Sequence, residues 1–236
     1  VNIIKPATVA VAAASMLLAG CGDKTAAAPT AATPSGNGIA ALPAADIMTR
    51  AEKAVTDAKS FHAAGTAKED SGDSYTIDLK ESGSNLLATF TLSGMRLEVL
   101  AFDGRSYVRA DPKFLASTGI TLPKVSADVL AKSWIKPAPG DTTFSDMTDG
   151  FGLDELLDQS GELTKGDVTQ IDGKPAIVLN DVKDTGSVYV ATTGEPLPLK
   201  ATDGNGGVMT FSEFGAEFPE IKAPAAGEII SLPAKS

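Results

Sequence analysis

The stretch NLLATFTLSGMRLEVLAFDGRSYVRA, Asn85 to Ala110, decides the fold. NLLATFTL and MRLEVLAF alternate apolar and polar residues, the period of two that sends successive side chains to opposite faces of a strand. Ser93-Gly94 and Asp103-Gly104 break the alternation with two-residue turns of the kind that close hairpins. NLLATFTL, MRLEVLAF and SYVRA therefore run antiparallel, with Phe90, Leu92, Met95, Leu97 and Val99 on one face.

The pattern continues in both directions. A strand over Phe61 to Glu69 and another through Tyr75, Ile77 and Leu79 flank the turn SGDS, so five consecutive strands form a meander. Ahead of them, AADIMTRAEKAVTDAKSF after Pro43 repeats Ile47, Ala51, Ala54, Val55 and Ala58 at helical spacing and predicts an amphipathic helix. Between Asp111 and about Asp158 the alternation gives way to three short helical patterns, DPKFLAST, SADVLAKSW and FGLDELLDQ. Five more strands follow in ELTKGDVTQI, KPAIVLNDV, SVYVATT, LPLKATD and VMTFSEF. FDGRSYV and IDGKPAIV share an Asp-Gly turn as a common hairpin device. The sum predicts an α+β domain over residues 44–236: one strongly curved antiparallel sheet, a half-barrel of about ten strands, with helices on its concave side.

The N-terminus has a different character. ATVAVAAASMLL, Ala7 to Leu18, has the length of a signal-peptide core and is shorter than the ~20 residues that span a bilayer. Leu18-Ala19-Gly20-Cys21 resembles the lipobox of bacterial lipoproteins. That resemblance implies a diacylglyceryl group on the Cys21 sulfur and cleavage between Gly20 and Cys21. Residues 1–20 are then a signal peptide, and residues 21–43 are the lipidated cysteine followed by a flexible linker rich in Ala, Thr, Pro and Gly. The implied location is extracytoplasmic, anchored to the bacterial cell membrane through Cys21. Two acyl chains suffice for stable anchoring at ~0.8 kcal/mol per buried methylene.

Composition narrows the chemistry. A net charge of -10 disfavours nucleic acid, which needs a basic surface to displace counterions. One cysteine and one histidine supply neither an internal disulfide nor a clustered metal site, so no cofactor or metal is expected. His62 has no GxSxG elbow to serve, and GNGG, Gly204 to Gly207, lacks the Lys-Ser/Thr of a phosphate loop and reads as a hairpin turn. Catalytic residues are therefore not assigned, and the expectation is a non-enzymatic protein; a carboxylate pair is the remaining route to catalysis.

The order of elements resembles the bacterial lipoprotein-localisation fold of the LolA/LolB carriers and the actinobacterial LppX/LprG-type lipoproteins. VYVATTGEPLPLKATDGNGGVMTFSEFG, Val188 to Gly215, carries the likeness best, with GDVTQIDGKPAIVL and SFHAAGTA in looser agreement. The resemblance implies a hydrophobic cavity that shelters a lipid or lipoglycan at ~25 cal/mol per Å² of apolar area removed from water. Its wall would be Phe90, Leu92, Met95, Leu97 and Val99. Its lid would be Leu130, Trp134, Phe151 and Leu156, with Met147 near the edge. Sheet-to-helix core is the other role open to each of these residues. The function implied is an envelope lipid carrier, working with an envelope transporter or sensor protein. The alternative is a sensory or scaffolding lipoprotein that binds a partner protein on the same fold.

Overall fold

The computed structural model describes residues 35–68, 73–117, 126–137, 162–183 and 185–231. Twelve strands form one open, curled sheet. The first meander comprises β1 (Ser60–Lys68), β2 (Ser74–Ser82), β3 (Asn85–Leu92), β4 (Met95–Phe102) and β5 (Arg105–Ala110). The second comprises β7 (Leu163–Ile171), β8 (Lys174–Asp181), β9 (Ser187–Ala191), β10 (Pro198–Thr202) and β11 (Val208–Ser212). These are the ten strands expected from the alternation.

The turns account for the register. Ser93, Asp103 and Asp172 all have positive φ, and each is followed by a glycine that also has positive φ. This is the backbone of two-residue hairpin turns whose twist matches that of the strands. The Asp103-Gly104 turn sets Phe102 opposite Arg105 and hence Glu98 opposite Arg109.

The two meanders meet where β1 pairs antiparallel with β11, His62 opposite Ser212 and Gly65 opposite Met209. A Cβ at position 65 would collide with the Val208 carbonyl oxygen, so only glycine permits this approach of the two backbones. Both meanders turn the same face inward: Phe61, Leu79, Val99, Val108, Leu179, Val188, Met209 and Phe211 belong to one buried cluster.

Helix α1 (Ala44–Ala58) lies on that inner face and packs against β1, β7 and β9. Its stripe of Ile47, Met48, Ala51 and Val55 is buried, and burying each large aliphatic side chain contributes about 1.5–3 kcal/mol. The helix ends at Lys59, whose left-handed φ of 66° lets its N–H reach the Val55 and Thr56 carbonyls. Helix α2 (Pro112–Ser117) packs against β4 and sends Leu115 into the same cluster.

Three features depart from the pattern read in the sequence. The segment SADVLAKSW is helical only in α3 (Ala127–Leu130), capped by the Ser126 hydroxyl, which accepts from the Val129 N–H. Trp134 instead opens β6 (Trp134–Lys136), which pairs with β5 at Val108 and Ile135. Strand β12 (Ile229–Ser231) then lies parallel to β6 and brings the sheet to twelve. Residues 36–42, assigned to the linker, are held against the sheet. Gly36 bridges Thr193, the Asn37 side chain donates to the Ala191 and Gly194 carbonyls, and Ile39 is buried. The pattern FGLDELLDQ lies outside the described residues.

Candidate functional site

The inward face of β3 and β4 is apolar along its length: Leu86, Ala88, Phe90 and Leu92 on one strand, Met95, Leu97, Val99 and Ala101 on the other. Register sets Phe90 opposite Leu97, Ala88 opposite Val99 and Leu92 opposite Met95. Phe90, Leu97 and Val99 are buried in the inner cluster, while Leu92 and Met95, at the hairpin end, are only partly buried. All five expected wall residues thus share the concave face. Leu130 joins the same buried cluster from α3.

Trp134 does not. It belongs to a second cluster with Leu100, Tyr107, Phe218 and Ile221 on the opposite side of the sheet, so it is no part of a lid over the concave face. The cause is the early end of α3: once Trp134 sits in a strand beside inward-facing Ile135, its side chain must point outward. Gly20, Cys21, Met147, Phe151 and Leu156 lie outside the described residues.

On the outer face, the segment after β11 crosses the first meander and seats Phe218 and Ile221 against Leu100, Tyr107 and Trp134. Lys80 of β2 pairs with Glu220 of this strap and lies 5.5 Å from the centre of the Phe218 ring. The hydrogen bond that Lys80 donates to Glu220 holds its ammonium above the ordinary pKa despite some desolvation, and accepting the same bond holds the Glu220 carboxyl low.

Alternation also sends Arg96, Glu98 and Arg109 outward. Glu98 is buried and accepts three hydrogen bonds: Arg109 Nε at 2.6 Å, Arg109 Nη2 at 3.0 Å and Arg96 Nη2 at 2.9 Å. Burial alone would raise the Glu98 pKa, but the hydrogen bonds and charge of Arg109, reinforced by Arg96, hold it below the ordinary value. Arg109 also stacks on Trp134, 4.4 Å from the ring centre. Sequence reasoning passed over these three residues because charges on the polar parity of a strand look like a solvated face. The signal was present in the turn: a two-residue loop at Asp103-Gly104 places Glu98 directly across from Arg109.

His62, also outward, sits with Nε2 3.3 Å from Asp78 Oδ1 and Nδ1 3.3 Å from Glu213 Oε2 and 3.5 Å from Ser212 Oγ. It links β1 to β2 and to the end of β11, so its place is at the junction of the meanders. Gly204 to Gly207 form the β10-β11 connection, in which the Asp203 carboxylate accepts from the N–H groups of Asn205 and Gly207. No group of three or more His, Cys, Asp or Glu suited to a metal ion occurs among the described residues. No described helix is long and apolar enough to cross a membrane.

No protein-family model matches the sequence, and no curated protein matches it. Among solved structures, an uncharacterized conserved protein from Thermus thermophilus aligns over 80% of this chain and 99% of its own, with 11% identity and a TM-score of 0.42. MucB in complex with MucA(peri) aligns over 80% of this chain with 15% identity and a TM-score of 0.40. MucB alone aligns over 77% with 19% identity and a TM-score of 0.38. The aligned parts cover 62% and 63% of those two MucB chains, under two thirds of their length.

Proposed function

We propose that this chain is a non-enzymatic, extracytoplasmic lipoprotein, acylated at Cys21, whose curled sheet shelters the acyl chains of a lipid and carries it between envelope sites. The observation that carries the reading is the inward face of β3 and β4, which has eight apolar side chains in register and no charged one. Over this half, the described helices are short, six residues in α2 and four in α3, whereas the 15-residue α1 packs against β1, β7 and β9. An apolar wall with only short helices over it among the described residues suits a flexible hydrocarbon guest, which needs water excluded and few polar contacts.

The test is solvent extraction and mass spectrometry of the purified Pro34–Ser236 unit, followed by titration with a fluorescent fatty acid. Co-purified lipid and saturable uptake are expected; absence of both overturns the carrier and leaves partner-protein binding as the reading to pursue. Leu97→Trp should abolish uptake with little loss of stability if the residue faces a guest. In a filled core the same change costs about 1–3 kcal/mol through overpacking. The anchor has its own check: an alkyne fatty acid fed to the producing cells should label the full chain and fail to label Cys21→Ser.

A further inference from the structure

An open cleft of about 180 Å³ lies where β4 begins and β5 ends, lined by Arg96, Glu98, Arg109, Ala110, Asp111 and Pro112 among others. It occupies the sheet's lip. Ala110 belongs to the inward cluster while Glu98 and Arg109 point outward, and Arg96 follows directly on Met95 of the apolar wall. Pockets that enclose a whole small molecule run to ~300–1,000 Å³, so this one is sized for a single charged group.

Its donors are arranged and only partly used. Glu98 orients the Arg109 guanidinium through its Nε, Nη2 pair and tethers Arg96 by a single bond from Nη2. Trp134 backs the Arg109 plane on its other side. These bonds leave Nη1 of both arginines to donate elsewhere. Glu98 and Asp111 balance the two guanidinium charges, so what the cleft offers an oxyanion is directed N–H donors rather than a net positive charge; the Asp111 carboxylate accepts through Oδ1 from the Lys113 N–H. Paired, oriented guanidinium edges are the side-chain geometry that best matches phosphate and carboxylate oxygens.

We propose that this cleft binds an oxyanion, the phosphate or carboxylate of an acidic lipid headgroup, with the attached chain running from Met95 and Leu92 onto the inward face. The lipid half of the proposal rests on the carrier reading; the oxyanion half stands on the two arginines alone. Glu98 and Trp134 are positioning residues.

Trp134 is the only tryptophan and touches Arg109, so its fluorescence reports the cleft through that arginine. The full chain is titrated with dihexanoylphosphatidylglycerol, uncharged dihexanoylglycerol and inorganic phosphate. Saturable change with the anionic lipid is expected. Arg96→Gln should weaken that binding at least tenfold, Arg96→Lys by less, and neither should alter binding of the uncharged lipid. The Arg96 side chain is 62% exposed, so these variants keep the fold. Inorganic phosphate binding that depends on Arg96, with neither lipid bound, would uphold the oxyanion site and overturn the carrier. Equal binding of both lipids, unchanged in Arg96→Gln, would overturn the site and leave the carrier standing. No response to any of the three probes overturns the proposal.

Discussion

The two meanders are built from the same hairpin device and joined at one seam, yet they are covered differently. The second, with β1, carries a long amphipathic helix on its inner face, reinforced by Ile39 from the segment before it. Among the described residues, the first is covered inside by short helices and outside by the strap that bears Phe218 and Ile221. A helix that commits its apolar stripe to one half leaves the other half's apolar strands to find a different partner. Both halves contribute to one buried cluster, and the half with the composite cover is the one to which the proposed carrier role assigns the guest.

Substitutions can break this contrast. Ile47→Ala, on α1, should cost about 3–5 kcal/mol, while Leu97→Ala, on the first meander, should cost about 2–3 kcal/mol if, as proposed, the site accepts a guest and collapses more readily around a void. Urea unfolding of the two variants measures the difference, and equal losses would erase it. Gly65→Ala should cost about 2–4 kcal/mol, since the added Cβ meets backbone and the seam must open. If the meanders are separate units, its unfolding should lose the single sharp transition of the parent chain.

Glu98→Gln should cost about 1–3 kcal/mol by removing charge-assisted bonds on the first meander only. The native pKa of Glu98 is lowered from 4.5, so its contribution is present above that value and lost as pH falls through the lowered one. The gap between parent and variant should hold steady near neutrality and close on acidification, which denaturant melts across pH will show. Lys53→Ala removes an exposed pair with Asp57 on the outer side of α1 and should cost no more than about 0.5 kcal/mol. Thermal melts of the two proteins should nearly coincide.

Much of this architecture was legible because a half-buried strand writes its two faces into alternate residues. The ten long strands, the amphipathic α1 and the paired-turn glycines all follow from that rule. Strands β6 and β12 were not legible, being three residues each, too short to display a period. Trp134 illustrates the consequence. Its spacing from Leu130 suits a helix, but the chain turns at Ala131 to Ser133 and a strand partner decides the rest. Of the candidate site, the five wall residues were readable as one face. The arginine cluster was not, because charge on an outward strand position carries no mark of burial until the register of its neighbour is drawn.

The seam has a kinetic side. Within each meander, neighbouring strands are joined by short turns, so their pairing is local and quick to find. The β1-β11 pair joins His62 to Ser212 across 150 residues, and that loop must be closed before the pairing offsets the entropy lost. The order of assembly is thus written into the topology: hairpins first, seam last. Refolding followed by pulsed hydrogen exchange should protect β3 and β4 amides ahead of those in β1 and β11, and simultaneous protection would contradict it. A nascent chain waits for its final sheet strands before the first one can take its permanent neighbour.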